Sequence, residues 1–258
     1  MALLVFVIGL TLGSFINAVI FRTHINKPVT GRSKCMCCDE IIKPYDLIPL
    51  LSFMLLKHRC RSCKSLISWQ YPLVELTAGL MLLFMFLRYS FGWWLPVEFV
   101  ADNMTWFFVR DSIFVMFLLI IFVYDARYSL ILDRFTLPVF VFALVINIIL
   151  GMPIWSLLVG AISIGGFFYL QHVLSKGKWI GGGDIRMGLV MGAMLGLVNG
   201  LAALFVAYVF GALIGFTLII LGKAKLHTQI PFGTFLAVAT VLMLIFGDVA
   251  VGWYLSLF

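Results

Sequence analysis

Charge is scarce in this chain. Asp, Glu, Lys and Arg make up 11% of its 258 residues, while 63% are hydrophobic. A soluble globular domain is about a quarter charged and about half apolar, so a single water-solvated core is excluded. Several signatures are missing as well. No glycine-rich nucleotide fingerprint follows a strand pattern, so no cofactor-binding residues can be named from a motif. No convincing internal repeat appears, although transporters often show two similar halves. The four histidines, His24, His58, His172 and His227, are scattered, and the five cysteines all fall within one short stretch.

What fills the sequence instead is long apolar runs. A membrane-spanning helix needs about 20 predominantly apolar residues. The runs predict an all-α polytopic membrane protein with about eight spans near 3–21, 72–89, 104–124, 136–151, 154–174, 185–199, 201–222 and 234–257. Gly151-Met152-Pro153 is expected to separate the fourth span from the fifth, and Asn199-Gly200 to turn between the sixth and seventh. The basic residues segregate: 16 of the 18 Lys and Arg lie on one side of this alternation, leaving Arg88 and Arg110 for the other. By the positive-inside rule the four basic loops are cytoplasmic and both termini lie outside. Residues 1–21 lack a basic leading region and a small-x-small cleavage site, so they are expected to persist as the first span.

The net charge of +7 does not point to nucleic acid. Most of the excess lies in one membrane-flanking segment, where anionic membrane lipid is the nearer partner. That segment, 22–71, is the one stretch long enough to fold outside the membrane, and it carries every cysteine in "KCMCCDE" and "HRCRSCKS". Cys35-x2-Cys38 and Cys60-x2-Cys63 have the spacing of two zinc knuckles. So small a segment has too little apolar material to fold alone, and a tetrahedral metal supplies the missing stabilisation. Two disulfides or free thiols are the alternative; a reducing cytoplasm argues against the disulfides. Cys37 is left over, and His58 is a weaker alternative ligand.

Acids at membrane depth are few, and each is a functional hypothesis by default, with pairing to a nearby Arg as the plainer explanation. Asp125 closes the third span and Asp184 opens the sixth, which puts both at the cytoplasmic ends. Two carboxylates that meet cannot both ionise cheaply; one keeps a proton, and the pair then offers a base and an acid for activating a water and protonating a leaving amine. Gly181, Gly182 and Gly183 directly precede Asp184. Such a run allows backbone conformations closed to other residues and a close approach by a substrate strand. Gly188, Gly192, Gly196 and Gly200 continue at four-residue spacing as a ridge for tight helix packing, expected to draw Asp184 toward the helix bearing Asp125. Asp133, before Arg134, reads as a loop-anchoring or salt-bridged acid. Glu75 reads as a group bonding loop atoms to the second span. The same acids would also serve an ion- or proton-coupled transporter as a relay, although transporters place such groups near the bilayer midplane. A non-catalytic assembly scaffold would have no use for them.

These residues, taken in order, resemble bacterial type IV prepilin peptidases, the bifunctional leader peptidase/N-methyltransferases among the GxGD membrane aspartyl proteases. The likeness runs almost end to end through "GSFINAVIFR" (Gly13 to Arg22), the paired cysteines with "DLIPLLS" and "YPLVE", "GGGDIRMG", and "IPFGTFLA" (Ile230 to Ala237). The resemblance implies that Asp125 and Asp184 are the catalytic pair. It implies a domain order of first span (1–21), cytoplasmic four-cysteine zinc domain (22–71) and transmembrane protease domain (72–258). It further implies cleavage of prepilin or pseudopilin substrates after the glycine of a short basic leader, at the cytoplasmic face of the bacterial inner membrane. S-adenosylmethionine is then the implied donor for methylating the new N-terminus. The chain departs from the pattern at Leu132 and Thr234, where the family has proline, and at Arg186, where lysine is common.

Overall fold

The computed structural model describes residues 1–95, 103–223 and 230–257; Lys225 and His227 lie outside the described residues. The helices are α1 (Ala2–His24), α2 (Leu51–Leu55), α3 (Gln70–Phe91), α4 (Met104–Tyr128), α5 (Asp133–Ile149), α6 (Ile154–Leu174), α7 (Gly182–Ile220) and α8 (Phe232–Leu255), with a 3-10 turn at Pro44–Leu47. Extended pairing among the described residues is limited to the isolated bridges Lys34↔Ile41 and Arg59↔Leu66. Among the described residues, helices α1, α3, α4, α6, α7 and α8 are long and apolar enough to cross a membrane, six in all. Helix α5, at 17 residues, is shorter.

The chain forms two compact units, Met1–Phe91 and Gly92–Phe258. In the first, α1 packs on α3 through small residues. A Cβ on Gly9 would lie 2.7 Å from Gly79 Cα, and one on Gly13 would lie 2.6 Å from Glu75 Cα. Backbones this close gain the van der Waals contact that drives helix association in lipid. The buried Asn17 donates to the Tyr71 carbonyl at 3.1 Å, fixing the entrance to α3.

The second unit is organised by α6 and α7. Straight, a 39-residue helix would be about 58 Å long, about twice the bilayer's hydrocarbon thickness. It is not straight. Gly196 has φ 74 and ψ −170, a backbone region essentially reserved for glycine, and the chain reverses there. A Cβ on Gly200 would lie 3.7 Å from Gly192 Cα, whereas eight residues of straight helix would separate them by about 12 Å. The first arm of α7 runs antiparallel to α6, with Gly188 against Gly165 and Gly192 against Gly160 and Ala161; the second runs alongside α6 in the same direction, with Gly200 against Ile164.

The polar groups freed at the reversal are paired, as a low-dielectric setting demands. The Asn147 side chain on α5 donates to the Ala193 carbonyl at 2.8 Å and the Met194 carbonyl at 3.1 Å. Ser156 Oγ accepts the Leu197 N–H at 3.1 Å. Arg110, ion-paired with Asp111 at 2.7 Å, donates to Asn147 Oδ1.

The break at Gly151-Met152-Pro153 forms as expected, with Gly151 at φ 86 and α6 starting at Ile154. The turn expected at Asn199-Gly200 does not. The reversal falls at Gly196, and the Asn199 amide instead donates to Asp248 on α8 at 2.8 Å. The glycine ridge packs as foreseen, but its partner is α6 rather than the helix bearing Asp125.

Candidate functional site

The cysteine segment lies in the first unit as two copies of one local structure related by a shift of 25 positions, Cys35 to Cys60 and Cys38 to Cys63. Cys35 N–H donates to the Glu40 carbonyl at 2.9 Å, and Cys60 N–H donates to the Ser65 carbonyl at 2.8 Å. Asp39 and Lys64 occupy matching left-handed conformations, at φ 54 and 59. Each copy is a tight turn presenting two sulfurs on one side. The four Sγ atoms of Cys35, Cys38, Cys60 and Cys63 all lie within 4.8 Å of one another, with Cys35 and Cys63 3.7 Å apart. Tetrahedral zinc with Zn–S bonds of about 2.3 Å separates its sulfurs by about 3.8 Å, so the residues fit a structural zinc ion. The thiols respond to one another: the Ser65 hydroxyl draws Cys63 down to about 6. Cys38 is pushed up to about 12, because the downward pull of the Glu40 amide is outweighed by desolvation and by hydrogen bonds to Cys35 and Cys63. Cys37 is exposed and outside the four-sulfur cluster, while His58 stacks on Trp69 instead of joining the sulfurs.

Glu75 bonds a loop group, as expected: its carboxylate accepts the Leu50 N–H at 2.9 Å. Leu50 carries φ 62, and the carboxylate holds the chain in that turn just before α2.

The second unit brings Asp125 and Asp184 to one place. Asp125, in the last turn of α4, is 4% exposed. Its Oδ2 accepts the Thr234 N–H at 2.9 Å, one of the unpaired donors that every helix N-terminus presents. Asp184 occupies the third position of α7, where its carboxylate caps the helix by accepting the Gly181 N–H at 3.2 Å. The two carboxyl groups lie within electrostatic reach of each other. Ile131, from the loop after α4, fills the space between their supports: a Cβ on Gly183 would sit 2.8 Å from Ile131 Cβ, and one on Gly233 would sit 2.6 Å from Ile131 Cδ1. Asp133 is ion-paired with Arg186, as expected of a salt-bridged acid. That pair clamps the Ile131 loop to the N-terminal end of α7. Tyr208, bonded to Gln171 at 3.0 Å and ringed by Phe168 and Phe232, returns on the second arm of α7 to within electrostatic reach of Asp184.

The glycine run behaves differently from the expectation. None of Gly181, Gly182 and Gly183 has positive φ. Gly183 is required because Ile131 leaves no room for a Cβ, whereas Gly182 is exposed with nothing within 4 Å of where one would stand. Sequence reasoning missed Ile131 and the Thr234 amide. The second had a signal: threonine where the family has proline restores an N–H.

Two family models match the chain, the bacterial peptidase A24 N-terminal domain over residues 7–89 and the type IV leader peptidase family over residues 112–216. A prepilin leader peptidase/N-methyltransferase of Aeromonas salmonicida is 30% identical over 98% of this chain and 93% of its own length. The chain belongs to the type IV leader peptidase family. Proteins of the same name from Bacillus subtilis (29% identical, 98% of both chains) and Stutzerimonas stutzeri (28%, 97% of this chain and 92% of its own) are similarly related to this chain. No solved structure matches it. The A24 N-terminal match ends at 89 and the first compact unit at Phe91, so the cysteine segment and its two flanking helices form one body in this chain.

Proposed function

We propose that this chain removes the short basic leader of type IV prepilins or pseudopilins, after a glycine, with a water activated between Asp125 and Asp184. The observation that carries this reading is the placement of the two acids at neighbouring helix ends within electrostatic reach, Asp125 against the N-terminus of α8 and Asp184 in the first turn of α7, with Ile131 packed against both of their glycine supports. Sharing one proton, the pair supplies a base to take the water's proton and an acid to protonate the departing amine. Gly181 and Gly182 are exposed beside Asp184, an open backbone against which a substrate strand can lie. Helix-end acids favour this chemistry over an ion relay at the midplane, and the relatives' names point the same way.

The same reading places the catalytic face in the cytoplasm of a bacterial inner membrane and both termini outside. Eight crossings fit the six long helices if α5 crosses through a locally thinned bilayer and the two arms of α7 cross separately. Residues 22–71 hold structural zinc, and 72–258 carry the protease. N-methylation of the new N-terminus with S-adenosylmethionine is inferred from the relatives' names; the described residues contain no strand-loop-helix nucleotide unit, and no residue is assigned to that cofactor.

The test is cleavage of a purified prepilin. Asp125→Asn and Asp184→Asn should each slow it by at least about 100-fold, the scale of a lost acid–base group. Cleavage at the wild-type rate in either variant overturns the pair. Labelled S-adenosylmethionine in the same tube reads the methyl transfer.

A further inference from the structure

The short helix α2 has no part in the chemistry, and its surface is unusual. Leu51, Met54 and Leu55, which share a face at helical spacing, are 57%, 71% and 80% exposed. The turn that follows is strongly basic. Lys57 and His58 both adopt left-handed conformations there, at φ 49 and 52, which fold the chain back to make an open pocket of about 550 Å³ lined by Leu55, Leu56, Lys57, Arg59, Arg61 and Lys64. Cys60, one of the four clustered cysteines, also lines it. Arg61 is already neutralised by Asp46, whose oxygens accept from it at 2.9 and 2.7 Å, leaving Lys57, Arg59 and Lys64 as the free cations of the pocket among the described residues.

The position of α2 along α3 is fixed by two contacts. The Leu50 N–H is held by Glu75, five residues past the start of α3 and therefore about 7.5 Å along its axis. Phe53 packs edge-on against Trp69, which immediately precedes α3, with ring centroids 5.0 Å apart. Interfacial helices bury their apolar face about 5–10 Å into the boundary between headgroups and acyl chains. With α3 crossing the bilayer, α2 is held beside the first turns of that span, at its end.

We propose that α2 and the turn after it form an interfacial docking site for an anionic phospholipid. Leu51, Met54 and Leu55 enter the acyl region, and Lys57, Arg59 and Lys64 hold the phosphate-bearing headgroup. A prepilin is the poorer occupant, because its basic leader would be repelled by the same cations. The proposal rests on the membrane placement of α1 and α3 but not on the aspartate pair, so failure of either leaves the other standing.

The test places the photo-crosslinker p-benzoylphenylalanine at Leu55 in the full chain, reconstituted in vesicles of phosphatidylethanolamine containing about 30% phosphatidylglycerol to mimic an anionic leaflet. Illumination should give lipid adducts, with phosphatidylglycerol enriched about twofold over its share of the vesicle. The triple variant Lys57→Asn, Arg59→Gln, Lys64→Asn uses asparagine at the two left-handed positions. It should keep its zinc and its total lipid adducts while losing the phosphatidylglycerol enrichment. Adducts to another segment of this chain, to a second copy or to added prepilin in place of lipid would overturn the proposal. So would enrichment unchanged in the triple variant.

Discussion

The backbone N–H of Thr234 donates to Asp125 Oδ2 at 2.9 Å, joining the last turn of α4 to the first turn of α8. Where the family has proline at this position that bond is impossible, because proline has no N–H. The substitution is therefore a clean probe. Proline is tolerated in a helix's first turn, so Thr234→Pro should fold and yet cleave prepilin about tenfold more slowly at unchanged KM, the lower end of what a hydrogen bond to a charged group contributes. Thr234→Ala keeps the amide and should cleave normally. A wild-type rate in Thr234→Pro would remove this amide from the positioning of Asp125.

Gly183 and Gly182 should respond oppositely to alanine. At Gly183 a Cβ would meet Ile131 Cβ at 2.8 Å, and at Gly182 it would meet nothing within 4 Å. Overpacking costs about 1–3 kcal/mol, so Gly183→Ala should lower the cleavage rate or thermal midpoint while Gly182→Ala stays near wild type. Ile131→Ala should restore the Gly183→Ala protein in part. Equal losses in the two single variants would make the glycines a substrate surface rather than a packing requirement.

The contrast between these glycines marks how far the sequence could be read. The spans, the metal ligands and the two acids each leave a local signal: an apolar run, a CxxC pair, a charge where charge is costly. The reversal of α7 does not. Asn-Gly is the stronger turn dipeptide by local preference, yet the chain turns at Gly196 because the partners that satisfy a broken helix, Asn147 and Ser156, stand on other helices. Distant capping of this kind is invisible along the chain. Helix α2 escaped notice for a related reason: five residues are too few to show a period, and its place is fixed by Glu75, 25 residues beyond Leu50.

The Asp133–Arg186 ion pair should matter modestly and through geometry. Both side chains are about half exposed, at 50% and 43%, and exposed pairs contribute about 0.2–1 kcal/mol, screened by salt. A double-mutant cycle with Asp133→Ala and Arg186→Ala, read by thermal unfolding in detergent, should give a coupling in that range that shrinks in high salt. Arg186→Lys should retain most of it. A coupling of several kcal/mol would mean the pair is far better shielded than its exposure indicates.

Zinc content should fall from about one ion per chain to near none when any of Cys35, Cys38, Cys60 or Cys63 becomes serine, and stay near one in Cys37→Ser, as a four-thiolate structural site requires. Thiolate ligation also releases metal on acidification, because protons compete for the sulfurs. Cys63 is drawn down to about 6 by Ser65, a shift that favours its thiolate at neutral pH. Removing the hydroxyl by Ser65→Ala should let zinc leave at higher pH than in wild type. Full occupancy in all four serine variants would exclude the site.

The reversal of α7 makes the last prediction. Asn147 is fully buried, and its amide serves the Ala193 and Met194 carbonyls together while its oxygen receives Arg110. Asn147→Ala strips both carbonyls and the arginine of a partner at once, and each buried group left unpaired costs about 1–3 kcal/mol. At about 2–4 °C per kcal/mol for a protein of this size, the thermal midpoint should drop by about 5 °C or more. Gly196→Ala should be harmful for two separable reasons: φ 74 strains any L side chain, and its Cβ would lie 2.8 Å from Ser156 Oγ. Adding Ser156→Ala removes the clash but not the strain, and it orphans the Leu197 N–H. The double variant should therefore be no more stable than Gly196→Ala by more than about 1 kcal/mol. Recovery to the wild-type midpoint would show that the reversal tolerates a side chain and that glycine is not what sets it.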